Sequence, residues 1–384
     1  MVLHHIGLVN SGNNTPVNIH IRGSKIAEVS TTNISQGDLH LRFENAIAFP
    51  GLINSHDHLD FNLFPQLGNR FYRSYTEWGR YIHQYHTAEI SRVLKVPVLL
   101  REQWGVIKNL LCGVTTVVNH GERVKITDPL INIHEQYHCL HSVQFEKRWK
   151  TKLNHPLKRN LPVVIHVGEG TDRAAHREID QLIHWNFFRK SLVGVHGVAM
   201  SEKQAAQFKA LIWCPQSNYF LLNETAPVNK LKKHTAILFG TDSTLTGNWN
   251  IWKHIRVARD TKMLSDSALY DTLFSNPATV WELPPGEIKP GHTADLVVAK
   301  IKNNESHINA FFAIQPADLL LVVHQGNIRL FDESLSQQLH GIDLSRFSRV
   351  HLNGTRKYVQ GDVPALIKHI QQYYPEAPFP ITTD

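Results

Sequence analysis

The chain has 384 residues, 42% of them hydrophobic and 19% charged, which is typical of a globular protein rather than a disordered or fibrous one. No apolar run approaches the roughly 20 residues that cross a bilayer, and the first residues do not resemble a secretory signal, so we expect no membrane association. Three cysteines without CxxC spacing favour a reducing compartment, and we expect a cytoplasmic protein. The net charge of +7 comes from largely scattered basic residues, so we expect no nucleic-acid partner, and a homodimer is left open.

Short alternating strands are predicted near both ends of the chain. Residues 17–30 indicate a β-hairpin, and residues 286–300 and 317–331 have the same pattern of short strands and turns. We expect residues 1–48 and 285–335 to pair into one composite β-sandwich. Residues 336–384 contain a short amphipathic helix and are predicted to form a docked C-terminal tail.

The middle of the chain, residues 49–284, alternates apolar runs with helical patterns, which indicates βα units around a parallel sheet. The predicted fold class is therefore α/β, a (β/α)8 TIM barrel with a small β-sandwich built from the N- and C-terminal flanks. A weaker eighth run at 131–137 leaves the layout of the third and fourth strands open, because 121–161 is short for two βα units. The seven clear runs cover residues 46–58, 114–121, 139–145, 161–169, 192–200, 211–218 and 236–243.

Four of these runs end in side chains suited to metal binding or proton transfer: His56 and His58 together, His166, His196 and Asp242. His56 and His58 are two positions apart, so they point the same way from a strand. A lone histidine is more often a hydrogen-bonded core or rim residue. Independent structural histidines, however, have no reason to fall at the same end of successive strands, and the strands of a barrel end at one rim, so the joint pattern favours a shared site. Imidazole and carboxylate ligands suit zinc or ferrous iron.

Glu169 follows His166 by three residues, just beyond the predicted strand. A carboxyl there can face a substrate without binding the metal and can carry a proton. The alternative is an acid in the first turn of the next helix, favoured by the helix dipole.

The motifs resemble the amidohydrolase superfamily, and more narrowly its mononuclear cytosine-deaminase-like and chlorohydrolase-like branch. The resemblance covers about residues 5–335. Its motifs, in chain order, are "PGLINSHDH", "GVTTVV", "IHVGE", "VHG", "CPQSNYFL" and "GTDS".

The resemblance implies that His56, His58, His166 and Asp242 bind one divalent ion, Zn²⁺ or Fe²⁺. It implies further that His196 polarises the substrate or steadies the bound water, that Asp242 accepts a proton from that water, and that Glu169 passes it to the leaving nitrogen. No lysine stands where binuclear relatives carry a carboxylated bridge, which favours one metal. Glu146 is the alternative bridging acid.

We therefore expect a metal-dependent hydrolase of C–N bonds, in which hydroxide on the metal attacks an sp2 carbon of a small molecule and an amine or ammonia leaves. The HxxE pattern of His166 and Glu169 resembles that of the ring deaminases, and this resemblance implies deamination of a ring or amidine substrate. The alternatives are an amide or cyclic-amide hydrolase and, less favoured, a non-catalytic scaffold. For Trp78 the alternative to a substrate contact is loop packing. The predicted substrate contacts are Gln66, Trp78, His120, Gln216 and Asn218.

Overall fold

The computed structural model describes residues 1–9, 15–302, 306–339 and 341–383. Within this part of the chain, no helix combines the length and apolarity needed to cross a membrane. The strands are β1 (Val2–Leu8), β2 (Val17–Arg22), β3 (Lys25–Ser30), β4 (His40–Arg42), β5 (Ala46–Pro50), β6 (Leu52–Asp57), β7 (Val114–Asn119), β8 (Asn132–His134), β9 (His138–Ser142), β10 (Val163–Val167), β11 (Leu192–His196), β12 (Ala210–Trp213), β13 (Ala236–Phe239), β14 (Leu296–Lys300), β15 (Leu319–His324), β16 (Asn327–Asp332), β17 (Phe347–Leu352), β18 (Thr355–Gln360) and β19 (Thr382–Thr383). The α-helices are α1 (Tyr75–Tyr85), α2 (Thr87–Leu94), α3 (Val98–Leu110), α4 (Trp149–Leu153), α5 (Arg173–Trp185), α6 (Glu202–Ala205), α7 (Pro215–Leu222), α8 (Val228–Leu231), α9 (Ile251–Asp260), α10 (Asp266–Asp271), α11 (Ser275–Trp281), α12 (His307–Ala313) and α13 (Val363–Tyr373).

Eight successive strands, β6 to β13, form two parallel sheets. One has the order β6-β7-β8 and the other β13-β12-β11-β10-β9. The sheets meet where the amides of Thr241 and Asp242, just after β13, donate to the carbonyl oxygen of His56 in β6 at 3.0 and 3.1 Å. The α/β class with parallel strands is confirmed; the hydrogen-bonded ladders among the described residues form two separate sheets, so the closed barrel stays a prediction.

The segment 121–161 is abbreviated, as its length indicated. Residues 135–137 alone separate β8 from β9, and the next helix, α4, comes only after β9. The segment therefore contains two short strands without a helix between them.

Two strand boundaries differ from the predicted runs. The run 46–58 is divided at Gly51, where β5 leaves the flanking sheet and β6 begins; a Cβ on Gly51 would lie 2.1 Å from Thr115 Oγ1, so only glycine fits. The run 211–218 ends as a strand at Trp213, because Pro215 occupies the first turn of α7.

The flanks of the chain pair into one sheet of order β19-β17-β18-β16-β15-β14-β5-β1-β2-β3, with β4 beside β1. Strand β5 lies between β1 and β14 and so joins the N-terminal flank to the C-terminal one. Residues 336–384 are more than a docked tail with a helix. They contain α13, but β18 also pairs with β16, which extends the sheet. The division into three domains stays a prediction.

A buried polar cluster joins β6 to α3. Asp57, between the two histidines, accepts hydrogen bonds from Lys108 Nζ at 2.7 Å, Asn109 Nδ2 at 2.7 Å and Asn62 Nδ2 at 2.8 Å. The Lys108 side chain is 2% exposed and that of Asp57 is fully buried. Such an ion pair is tolerated only when hydrogen bonds replace the lost water, and this one fixes α3 against the strand that carries the histidines.

We expect Lys108→Met to lower the free energy of unfolding by about 3 to 5 kcal/mol, because it leaves a buried carboxylate without its cation. The measurement is the urea unfolding transition of each purified variant. Lys152→Met is the matched control: Lys152 Nζ is 2.6 Å from Glu146 Oε1, but its side chain is 52% exposed. An exposed pair of this kind contributes about 1 kcal/mol or less. Equal losses in the two variants would contradict the prediction.

Candidate metal centre

Four side chains from three strand ends direct ligand atoms at one point. His56 and His58 come from the end of β6, His166 from β10, and Asp242 follows β13. Nε2 of His166 lies 3.2 Å from Nε2 of His56 and 3.3 Å from Nε2 of His58. Oδ1 of Asp242 lies 3.5 Å from Nε2 of His58 and 3.8 Å from Nε2 of His56. The structure thus brings together the four residues that the sequence predicted as ligands.

These distances fit a bound ion of the zinc type. Ligand atoms at about 2.0 to 2.1 Å from a tetrahedral ion lie about 3.3 Å from one another, close to the spacing of this cluster. Neutral imidazole nitrogens at such distances cannot all donate to each other, whereas a cation between them satisfies every lone pair. The donor set therefore fits one divalent ion of the zinc or ferrous type.

Neighbouring groups fix which ligand atoms face the centre. Nδ1–H of His166 donates to the carbonyl oxygen of His141 at 2.8 Å, so Nε2 carries the free lone pair. Oδ2 of Asp242 accepts hydrogen bonds from Ser217 Oγ at 2.8 Å and Thr246 Oγ1 at 2.9 Å. Oδ1 is therefore the oxygen left for a metal.

The surroundings of these side chains favour the protonation states that can bind a metal. Burial lowers the pKa of His56 and His166 well below the usual value, and their neighbouring histidines lower it further. Burial alone would raise the pKa of Asp242, but His58, His196 and the two hydroxyl donors outweigh it and the pKa is lowered. Neutral imidazoles and an ionised carboxylate are the forms that bind a divalent ion.

His196 and Glu169 lie next to the cluster without belonging to it. His196 Nε2 is 3.6 Å from Glu169 Oε2, and both side chains are buried. Nδ1–H of His196 donates to Asn218 Oδ1 at 2.8 Å, which directs Nε2 toward Glu169. Burial raises the pKa of Glu169 well above its usual value, with Asp242 and Glu178 adding to the effect.

The backbone is strained at His196 and Asp242. His196 has φ of 72° and Asp242 has φ of 59°, in the left-handed region that few residues other than glycine adopt. Conformations of this kind cost about 1 to 3 kcal/mol each and persist where the surrounding structure holds them. Here they end β11 and follow β13 at the same rim.

His120, predicted as a substrate contact, lies instead beside the metal ligands. Its ring centroid is 4.2 Å from that of His166 and 5.0 Å from that of His56. It is 2% exposed, and neither ring nitrogen has a hydrogen-bond partner of good geometry among the described residues. The ligand atoms of His56, His120 and His166 lie within 4.8 Å of one another, so His120 extends the cluster rather than the cavity wall.

A cavity of about 780 Å³ opens above the cluster. His58, His166, Glu169, His196 and Asp242 line its base. The apolar walls come chiefly from α1, from the residues after β9 and from those after β13: Tyr75, Trp78, Ile82, Phe145 and Leu245.

The other predicted substrate contacts divide into one that lines the cavity and three that do not. Trp78 lines it, and its Nε1–H also donates to Leu67 O at 2.7 Å, so it packs the loop as well. Gln66 is exposed and outside the cavity, and Gln216 accepts from the amide of Asn248 at 2.7 Å. Asn218 is fully buried behind His196. None of these three lines the cavity, and Asn218 contacts His196 instead, so their role as substrate contacts stays a prediction that the cavity lining does not support.

Glu146, the alternative bridging acid, pairs with Lys152 and belongs neither to the cluster of candidate metal ligands nor to the cavity lining. Sequence reasoning also missed the donors to Asp242 and the acceptor for His166. Ser217 and Thr246 are ordinary hydroxyl residues in sequence, and the His141 contribution is a backbone carbonyl, which no side-chain pattern reveals.

The amidohydrolase family profile matches residues 125–329, slightly over half of the chain. A 5'-deoxyadenosine deaminase of Methanococcus aeolicus is 26% identical over 196 aligned residues, 45% of this chain and 45% of that protein. A 5-methylthioadenosine/S-adenosylhomocysteine deaminase of Caldanaerobacter subterraneus is 22% identical over 388 aligned residues, 81% of this chain and 88% of that protein. The chain thus spans less than half the length of the first relative and most of the second.

Among solved structures, a zinc-bound adenosine deaminase from Xanthomonas campestris superposes with a TM-score of 0.71 at 14% identity, covering 98% of each chain. At this identity the match establishes a shared fold.

We expect bound zinc to be retained to a pH well below 6.5. A ligand histidine releases metal when it is protonated, and the lowered pKa values of His56 and His166 move that competition to lower pH. The measurement is zinc content after dialysis of the loaded protein at stepwise lower pH. Half-release at or above pH 6.5, the value for an unperturbed histidine, would contradict it.

Proposed function

Because the chain belongs to the amidohydrolase family, we propose that it is a metal-dependent hydrolase that deaminates a 6-aminopurine nucleoside or a similar amino-substituted ring. The reaction adds water to the ring carbon that carries the amino group: a C–O bond forms, the C–N bond breaks and ammonia leaves. The substrate class is supported by the names of the two curated relatives, both deaminases of adenosine derivatives.

The observation that carries the proposal is the position of Glu169. Its carboxyl lies at the base of the cavity, 3.6 Å from His196 Nε2, and burial keeps its pKa raised. A leaving amine must receive a proton before it departs, and a buried carboxyl with a raised pKa at the base of the cavity is suited to carry that proton.

The remaining residues divide the other tasks. Zinc or ferrous iron held by His56, His58, His166 and Asp242 would supply a water activated for attack near neutral pH. Of the two carboxyls, Asp242 has the lowered pKa, and it would accept the proton that this water releases. His196 is fixed by Asn218, which leaves its Nε2 free to face the oxygen that water adds to the ring carbon. Nε2 would accept a hydrogen bond from that oxygen when the ring is neutral and donate one when it is protonated.

The cavity supports a planar substrate with a modest extension. Its volume of about 780 Å³ falls in the range of pockets for cofactor- and drug-sized ligands. Aromatic walls from Tyr75, Trp78 and Phe145 suit stacking on a heterocycle, and Arg80 and His83 of α1 border it as well.

The proposal extends to architecture and setting. We infer that the two parallel sheets are arcs of one (β/α)8 barrel, and the contacts of residues 241 and 242 with His56 support closure on one side. The division into a barrel of 49–284, a sandwich of 1–48 with 285–335 and the segment 336–384 belongs to the same inference. A cytoplasmic location remains part of the proposal.

We expect zinc-loaded protein to release ammonia from 5'-deoxyadenosine and 5'-methylthioadenosine with higher kcat/KM than from cytosine, guanine or an aminotriazine. The measurement is coupled ammonia detection over this set, with chelator-treated protein as the control. Ammonia release from none of these compounds by protein holding about one zinc per chain would contradict the deaminase proposal.

We expect Glu169→Gln to keep the metal and to lower kcat by about 10² to 10⁴, because the amide cannot deliver the proton. His56→Ala should instead lose the metal, since it removes a ligand. Glu146→Gln is the matched control and should change neither property, because Glu146 pairs with Lys152 away from the cluster. Metal content and steady-state kcat are measured for the three variants. Wild-type kcat in Glu169→Gln would reduce Glu169 to a residue at the start of a helix.

A further inference from the structure

We propose that Glu178, on α5, is a positioning residue that holds the proton-carrying Glu169 in place by fixing residues 168–171 to the start of α1. This inference rests on the proposed function only for its catalytic consequence. The structural part, that one buried carboxyl holds this segment, stands on the contacts themselves.

Glu178 connects two parts of the cavity wall. Its Oε1 accepts a hydrogen bond from the amide of Gly168 at 2.8 Å, and its Oε2 accepts one from the hydroxyl of Tyr75 at 3.3 Å. The residue is 1% exposed and does not line the cavity, so it is placed to act on a neighbour rather than on a substrate.

The backbone completes the connection. The amide of Tyr75 donates to the carbonyl oxygen of Glu169 at 3.0 Å, and the amide of Thr171 donates to Arg73 O at 2.9 Å. Residues 168–171 are therefore held by backbone bonds to the first residue of α1 and to Arg73 just before it, and by α5 through the Glu178 side chain.

Gly168 shows why a side-chain acceptor is needed there. Its φ is +64°, which turns the chain sharply between His166 and Glu169, and a Cβ would lie 2.8 Å from Ile179 Cδ1. The turn takes the Gly168 amide out of the sheet ladder, and a buried amide without an acceptor is costly. A buried carboxyl is itself expensive and is retained here with both oxygens hydrogen-bonded.

The arrangement joins substrate binding to proton delivery. Tyr75, Trp78 and Ile82 of α1 line the cavity, and the start of the same helix is bonded to residues 168–171. The distance between the wall that orients a ring and the carboxyl that protonates its leaving group is thus set by these few hydrogen bonds. A displacement of about 1 Å at such a group can lower the rate by about 10².

The test compares Glu178→Leu with Glu178→Gln and with Asp180→Leu as the matched control on the same helix. Leucine removes both acceptors. Glutamine keeps an acceptor for the Gly168 amide and can donate to the Tyr75 hydroxyl. Asp180 is exposed and accepts a hydrogen bond from Gln204 Nε2 at 2.8 Å, away from residues 168–171.

Two measurements are made on each variant: hydrogen exchange of the amides of 168–171, and kcat and KM for 5'-methylthioadenosine with zinc content determined. For Glu178→Leu we expect about tenfold faster exchange, as the loss of one buried hydrogen bond allows. We also expect kcat about 10² lower with KM and zinc content little changed. Glu178→Gln should restore both properties, and Asp180→Leu should leave both as in the wild type.

Unchanged exchange in Glu178→Leu would overturn the proposal, and so would faster exchange with wild-type kcat. A fall in kcat that Glu178→Gln fails to restore would also overturn it, by reducing Glu178 to a packing residue. If Glu178→Leu does not fold, Tyr75→Phe takes its place: it deletes the bond to Glu178 Oε2 and keeps the Gly168 amide on Oε1, so we expect kcat to fall with zinc content unchanged, and wild-type kcat would overturn the proposal. If the wild type releases no ammonia, the proposed function fails, and hydrogen exchange alone then decides whether Glu178 holds the segment.

Discussion

Asp57 stands between His56 and His58, and because side chains alternate along a strand, the two histidines share one face only if Asp57 takes the other. That other face is buried, so the carboxylate must find its partners inside the protein. Lys108 and Asn109 of α3, with Asn62 after β6, provide them. The ligand geometry of β6 thus depends on an ion pair on the far side of the strand, which fixes the strand end in register.

Two carboxyls at the same rim have opposite protonation preferences. Asp242 is surrounded by imidazoles and accepts two hydroxyl hydrogen bonds, which stabilise its anion. Glu169 is desolvated and has Asp242 and Glu178 as charged neighbours, which destabilises its anion. In the proposed mechanism, environments that separate two pKa values in this way make Asp242 the proton acceptor and Glu169 the donor. Local surroundings, rather than residue type, make the distinction.

The features that could be predicted from the sequence are those that depend on the order of the strands and on the residues at their ends. Four of the seven apolar runs end in His or Asp, and this pattern placed His56, His58, His166 and Asp242 at one rim without long-range information. The sequence did not reveal contacts made across elements distant in the chain. Asn218 was predicted as a substrate contact, but its orientation depends on where β11 and α7 come together. Glu178 looks like an ordinary helix residue until the turn at Gly168 is known.

Asp242 can offer a metal only one oxygen, since Ser217 and Thr246 hold the other. With three imidazoles as the remaining donors, the site has few of the oxygen ligands that Mg²⁺ and Ca²⁺ require. Borderline cations bind nitrogen ligands far better, with affinity rising from manganese and iron toward copper. In the proposed site, the hydroxyl groups of Ser217 and Thr246 would therefore disfavour the bidentate carboxylate that a hard cation prefers.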